Sequence, residues 1–418
     1  MLNRSLAPSL SIIEKIDYIK PEVFQLNEHC ELLWMKDVKD DSVKVDLVFQ
    51  AGKLMGDKIV TSLTGNLLLS GTSNKNSVAI SEAIDLLGGF VHVEVGPEES
   101  VVSIFGLKQN IWELLQLVYD FICEVNFNEK EFLQEIQTAK QRLLISLEKV
   151  STIARREFIK RLLVNTGYSN LTQIDDFDNI QRNQLIEFHK SFYLSGLKQI
   201  CVVGNVSTQM VDALIKLMDP IKATTIKSFN FDFVNQPQKK VIPKDNAVQS
   251  ALRVGRILFN RNHPDYIGFS VLNTILGGYF GSRLMSNIRE DKGYTYGIGS
   301  GVVNLKDSGY FFISTEVGKN VAEKSLFEIQ LEMEKLNSEN IHESELKIVR
   351  NYSIGKLLKG ADGPYALLDR YLAVKRFGLD LNYYNQVIET IQTITPEQLK
   401  QLARKYLDWD KMVIVQAG

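Results

Sequence analysis

With 418 residues, a formal net charge of −2 and 44% hydrophobic side chains, the chain is long enough for two or more domains with substantial cores. Its Lys and Arg residues are dispersed, so nothing calls for nucleic acid or an anionic membrane surface as a partner. No run approaches a membrane span, the first residues lack a secretory leader pattern, and Cys30, Cys123 and Cys201 are neither paired nor at metal spacing, which fits a reducing, cytoplasmic setting.

Residues 1–30 read as an irregular lead-in. Segments 31–36 and 43–51 read as strands, the second alternating Val43, Val45, Leu47 and Phe49 with Lys44, Asp46 and Val48. Apolar residues at helical spacing predict a helix over 57–69 and another over 78–87 that stops at Gly88 and Gly89. Stretches 90–95 and 100–107 form a hairpin around Gly96-Pro97-Glu98-Glu99. Helices are predicted over 110–124, 129–148, 152–164 and 181–194, then a buried strand over 199–203 ending at Gly204 and a helix over 208–218. Periodicity fades from 220 to 237, which marks a linker.

After the linker the pattern begins again. The strand at 43–51 has a counterpart at 249–257 and the helix at 57–69 one at 264–276, while Gly89 resembles Gly293, at an offset of about 206. Gln184-Leu185 and Gly204 recur as Gln398-Leu399 and Gly418, with the offset grown to about 214. A drifting offset over most of the chain signals two copies of one domain, divided as 1–219, a linker at 220–237, and 238–418. Strand pairs joined by short turns, with helices between them, predict an α+β fold. Each half would be a sandwich of an antiparallel sheet with helices on one side, and the two would face each other across a cleft like a clamshell.

Residues 276–301 concentrate the candidate chemistry. A helix over 282–289 with Leu284, Met285 and Ile288 on one face ends at Gly293, and a strand over 294–303 follows, so Arg289 falls on the last helical turn and Tyr296 early in the strand. Taken alone, such a pair reads as a surface ion pair and ordinary packing. Gly297, Gly299 and Gly301 do not form a phosphate loop; their alternation suggests another backbone close to that strand face, as at the wall of a cleft.

This stretch, with His263-Pro264-Asp265-Tyr266 ahead of it, resembles the C-terminal half of the insulinase (pitrilysin) family of metallopeptidases, which includes the mitochondrial processing peptidase. The resemblance runs from Asn3-Arg4-Ser5-Leu6-Ala7-Pro8 to the last strand. It implies that Arg289 and Tyr296 bind the substrate backbone and stabilise the tetrahedral intermediate, as fixed donors aimed at developing negative charge. Active members of the family carry HxxEH on a helix, two His ligands to zinc and a Glu that activates water. Counted back from Leu67-Leu68-Leu69-Ser70-Gly71-Thr72, those three positions hold Ser62, Gly65 and Asn66. The third ligand position falls on Arg142, one heptad after Glu135 and on the same helix face. His29, His92, His189, His263 and His342 lie far apart; only His342 and Glu345 share helical spacing, in what reads as a solvated first turn. No metal is therefore expected in this chain. Where family members often carry Asn-Ala on the strand that pairs with substrate, this chain has His92-Val93, though main-chain pairing to a peptide needs neither side chain.

The resemblance implies a non-zinc subunit that supplies Arg289 and Tyr296 to the active site of a homologous HxxEH-bearing partner, with zinc held by that partner and an extended peptide as substrate. Such a chain would be inactive alone. A self-dimer, or a non-catalytic peptide-binding or scaffold protein of the same fold, is the alternative.

Overall fold

The computed structural model describes residues 13–36, 38, 39 and 41–418; the first part of the lead-in, including Asn3 to Pro8, lies outside the described residues. The first half runs β1 (Glu22–Asn27), β2 (Cys30–Met35), β3 (Ser42–Phe49), α1 (Lys58–Asn66), α2 (Ser77–Leu86), β4 (Phe90–Val95), β5 (Ser100–Leu107), α3 (Ile111–Glu124), α4 (Glu129–Leu147), α5 (Val150–Leu162), α6 (Arg182–Phe192), β6 (Leu197–Val203) and α7 (Thr208–Met218). The second runs β7 (Gln238–Ile242), β8 (Gln249–Leu258), α8 (Tyr266–Asn273), π-helical turns at Thr274–Gly278 and Met285–Asp291, β9 (Thr295–Asn304), β10 (Gly309–Gly318), α9 (Ala322–Ser338), α10 (Glu343–Lys359), α11 (Pro364–Lys375), α12 (Asn382–Thr393), α13 (Pro396–Tyr406) and β11 (Val413–Ala417). No helix among the described residues is long and apolar enough to cross a membrane.

Strand order is β1-β2-β6-β3-β5-β4 in one sheet and β7-β11-β8-β10-β9 in the other. Setting β1 aside, the orders correspond strand for strand, with β2 matching β7, β6 matching β11, β3 matching β8, β5 matching β10 and β4 matching β9. The duplication in the sequence is therefore a duplication of topology. Its glycine marker is Gly88, not Gly89: Gly88 and Gly293 have φ of 64° and 65°, the left-handed cap that L side chains avoid. The amide of Gly88 donates to Asp85 O (2.9 Å) and that of Gly89 to Ile84 O (3.0 Å), a Schellman closure of α2.

Two expectations need correction. The sheets are mixed, because β2 pairs parallel with β6 and β7 parallel with β11. A parallel neighbour needs a long crossover, and in each half the intervening hairpin and helices provide it. The lead-in also contains β1, whose three apolar residues do not alternate along the strand; its order comes from antiparallel pairing with β2, for example Val23 opposite Leu33.

Each sheet buries one face against its own helices. In the first half β3 contributes Val43, Val45, Leu47 and Phe49 to a core shared with Leu114, Leu115 and Val118 of α3. The second face is covered in part by a helix from the other half. Ala154, Phe158 and Leu162 of α5 pack on Ala251, Val413 and Val415 of the second sheet, while Leu368 of α11 packs on Leu33, Met35, Cys201 and Val203 of the first. Gly255 permits this approach: a Cβ there would stand 2.1 Å from Phe311 O and 2.9 Å from the Phe158 ring. The exchange of helices leaves the strands farthest from it, β4 and β9, at the open edges of their sheets.

Candidate functional site

The helix α1 is N-capped by Asp57, whose Oδ1 accepts from the amides of Ile59 (2.8 Å) and Val60 (3.1 Å). It presents Ser62, Gly65 and Asn66 at its C-terminal half. The Ser62 hydroxyl is turned back onto Lys58 O at 2.7 Å. Gly65 is packed by β4 and α6: a Cβ at 65 would lie 2.3 Å from Val95 Cγ2 and 3.2 Å from the Tyr193 hydroxyl. Burial pushes that phenol up to about 12. The Asn66 amide donates to Glu135 Oε1 at 2.9 Å, and Arg142 Nη1 approaches the same oxygen at 3.4 Å. Thus α1 and α4 do bring Asn66, Glu135 and Arg142 together. The donor set does not fit zinc: one hydroxyl spent on its own helix, a glycine, a neutral amide and a guanidinium surround a single carboxylate that is already paired. Among the described residues no group of three His, Cys, Asp or Glu side chains could hold a metal ion.

Across the molecule, residues 285–291 form a π-helical turn rather than the ordinary helix expected, with Leu284, Met285 and Ile288 buried as the spacing requires. Side chains on the turn are held from α9 and α10. Arg283 makes a two-pronged bond to Glu345 (2.9 and 2.8 Å), and Asn287 donates to Glu328 (3.0 Å) and Glu332 (2.8 Å). Glu345 is therefore tied down rather than solvated, while His342 caps α10 by accepting from the Ser344 amide. The wide turn ends with Lys292 N donating to Asn287 O and Tyr294 N to Ile288 O, both at 3.0 Å, on either side of Gly293.

Arg289 lies on the last residues of this turn, its guanidinium 4.6 Å from the centre of the Phe280 ring and 3.2 Å from Glu290. Tyr296 stands on β9 and is 94% exposed; among the described residues neither a hydrogen bond nor a ring contact holds it. Its exposure has a local cause. Thr295 pairs with Val317 and Ile298 with Thr315, so β9 carries an extra residue at this point, a bulge that re-aims the side chain of Tyr296. Two hydroxyls stitch the bulge. Thr295 donates to Glu316 O (2.7 Å) and accepts from Gly297 N (3.1 Å), and the Thr315 hydroxyl lies 3.0 Å from Gly297 O. Of the three alternating glycines only Gly299 has another backbone beside it, Gly277 O at 3.5 Å from a Cβ placed there; Gly297 is open and Gly301 faces the Phe312 ring, and the close approach is required instead by Gly277, where a Cβ would stand 2.8 Å from Ser300 N.

Between the halves lies a cavity of about 530 Å³ whose wall includes Ser62, Pro97, Arg155, Arg253 and Tyr310. A second recess of about 370 Å³ contains Tyr296, Thr315 and again Arg253. Arg253 therefore forms a wall common to the cavity at Ser62 and the recess at Tyr296. Sequence reasoning missed Arg253 and Arg155, because a lone Arg on a strand and an Arg-Arg doublet on a helix look like solvated charge. Beside the cavity, β4 turns Val91, Val93 and Val95 toward the helices and exposes Phe90, His92 and Glu94, with His92 stacked on Phe90. Its outer edge carries no strand among the described residues.

Two sequence-family models match the chain, "Insulinase (Peptidase family M16)" over residues 32–170 and "Peptidase M16 inactive domain" over residues 179–352. Among curated relatives, the uncharacterized zinc protease YmxG of Bacillus subtilis (strain 168) is 23% identical over 352 residues, 82% of this chain and 85% of the relative. The probable inactive metalloprotease YmfF of the same organism is 24% identical over 268 residues, 62% of each. Among solved structures, a peptidase M16 inactive domain from Pseudomonas fluorescens superposes with a TM-score of 0.86 at 23% identity, covering 96% of this chain and 98% of that one. The periplasmic protease PqqL from Escherichia coli gives 0.76 at 14% identity, with all of this chain matched to 49% of that one. The chain belongs to the insulinase family, peptidase family M16, as a member whose sequence contains no HxxEH zinc motif.

Proposed function

We propose that the chain is the substrate-binding subunit of a zinc peptidase that degrades or processes peptides, acting in the cytoplasm with a homologous HxxEH-bearing partner. The observation that carries this reading is the contrast between the two half-sites. The metal positions are closed by Val95 and by the Asn66-Glu135-Arg142 cluster, whereas Tyr296 is held out on a stitched bulge with no structural work to do. An extended peptide would add to the open edge of β4 through main-chain hydrogen bonds. The zinc of the partner supplies the activated water. Tyr296 donates its phenolic proton in a hydrogen bond to the oxyanion that develops at the scissile carbonyl. Arg289, released from Glu290 and from the face of the Phe280 ring, binds the neighbouring substrate carbonyl; a weak ion pair and one cation–π contact are what that release gives up.

The purified chain is expected to be inactive and to gain proteolysis when mixed with an HxxEH homologue. In that mixture Tyr296→Phe and Arg289→Ala should each lower kcat by about 100-fold, the loss typical of one oxyanion donor. Undiminished turnover with both variants would overturn the assignment. A second reading is favoured by one observation: the Arg289 guanidinium rests on Phe280 and Glu290, engaged within its own turn. Under it the chain is a non-catalytic peptide-binding or scaffold protein. Peptide-dependent protection of the β4 amides from hydrogen exchange, with no proteolysis on mixing, would select it.

A further inference from the structure

The cavity between the halves gathers charge of one sign. Lys53 reaches it from the loop after β3, Lys58 from the start of α1, Arg155 and Arg156 from α5, and Arg253 from β8, and no Asp or Glu lines it. Among the described residues none of these cations forms an ion pair. Lys58 and Arg156 make only neutral contacts, to the carbonyls of Asn170 and Thr172. Burial, and then repulsion from Lys53, holds the Lys58 ammonium below the usual lysine range; burial, and then repulsion from Arg155, lowers Arg156 and Arg253. The carboxylate of Glu316, in the neighbouring recess, partly offsets Arg253, but no ion pair among the described residues neutralises the other four, so a chain with a net charge of −2 keeps a positive pocket in its cleft, an arrangement that costs stability until an anion enters.

Guanidinium groups match carboxylates and phosphates alike, and for a peptide the anions at hand are its side-chain carboxylates; the Tyr310 and Phe312 rings offer apolar surface to the methylenes that carry them. Pro97, on the turn that follows β4, also lines the cavity, so a strand added to the β4 edge leads into it. We infer that this pocket selects peptides by binding the side-chain carboxylates of Asp and Glu residues, so that the substrate class is acidic peptides. This inference rests on the reading of the chain as a peptide-binding subunit.

The test is fluorescence anisotropy on the purified full chain without a partner, using C-terminally amidated peptides that differ only in Glu versus Gln at consecutive positions. The Glu peptide should bind at least about tenfold tighter at low ionic strength, the scale of one or two charge-assisted hydrogen bonds. Added salt should erode the preference, and Arg155→Gln or Lys58→Gln should bring the ratio of the Glu-peptide to the Gln-peptide affinity close to one. Arg155 is on the exposed side of α5, so its variant is expected to fold, as thermal unfolding would check. Equal binding of Glu and Gln peptides, or a preference that survives both variants, overturns the inference. So does a gain that appears only when the amide is replaced by a free C-terminus, which would assign the pocket to the α-carboxylate. The two readings fail separately: proteolysis on mixing without carboxylate preference removes this inference alone, and preference without proteolysis removes the catalytic role alone.

Discussion

At the residue scale, the loss of the metal site is held in place by packing more than by charge. Arg142 and Glu135 make a pair in which Arg142 is 66% exposed, and such pairs contribute at most about 1 kcal/mol, so Arg142→Ala should shift the urea midpoint little. Gly65 is different, because even one methyl group there meets Val95 and Tyr193. Gly65→Ala is expected to destabilise by about 1–3 kcal/mol, the range for an overpacked core, and Val95→Ala in the same chain should recover part of that loss. If Gly65→Ala alone were neutral in urea unfolding, the closure of the old site by β4 would be wrong. The spacing of Ser62 and Asn66 along α1, and of Glu135 and Arg142 along α4, was legible in sequence, since positions along one helix are set by the 3.6-residue period. The packing of Val95 against Gly65 was not, because residues 65 and 95 meet only when β4 packs on α1.

At the scale of elements, the bulge in β9 and the exchanged helices carry the consequences. Thr315 is buried, and its hydroxyl sits between Thr295 and Gly297. Thr315→Val leaves those groups short of a partner and should cost about 1–2 kcal/mol. In the mixture with an HxxEH homologue it should also lower kcat while leaving KM nearly unchanged, because Tyr296 loses its support rather than the peptide its edge. A fall in stability with full kcat would detach the bulge from catalysis. The exchange of α5 and α11 predicts a large penalty for truncating either anchor. Phe158→Ala should cost about 3–5 kcal/mol and Leu368→Ala about 2–5 kcal/mol in calorimetry or denaturant unfolding, since each leaves a cavity between the halves. The helices themselves follow from their apolar periodicity. Which sheet each would cover does not, because an apolar stripe specifies that it must be buried and not against what.

For the whole molecule, a buried imidazole sets an acid limit on stability. His189 on α6 lies among Phe127 and Tyr193 with Nε2 2.8 Å from Ile122 O, and burial lowers its pKa below the ordinary 6.5. The unfolded chain therefore binds a proton that the folded one refuses. The contribution of His189 to stability is complete above about 6.5 and is lost as the pH falls from there through the depressed folded value. The melting temperature should drop across that window, and His189→Gln should flatten the drop; an equal drop in the variant would assign the effect to other groups.

The sequence by itself determined the duplication, the α+β class, the loss of the zinc motif and the seven-residue spacing of Arg289 and Tyr296. These are properties of residues near one another in the chain or of a pattern repeated along it, and periodicity and spacing report such properties directly. Only the tertiary structure decided the parallel partners of β6 and β11, the reciprocal covering of the sheets, and the cationic cavity that collects residues 53, 58, 155, 156 and 253. Each depends on segments roughly a hundred or more residues apart. Their meeting is decided by sheet pairing and by which apolar face finds which, a competition over the whole chain that no local pattern records.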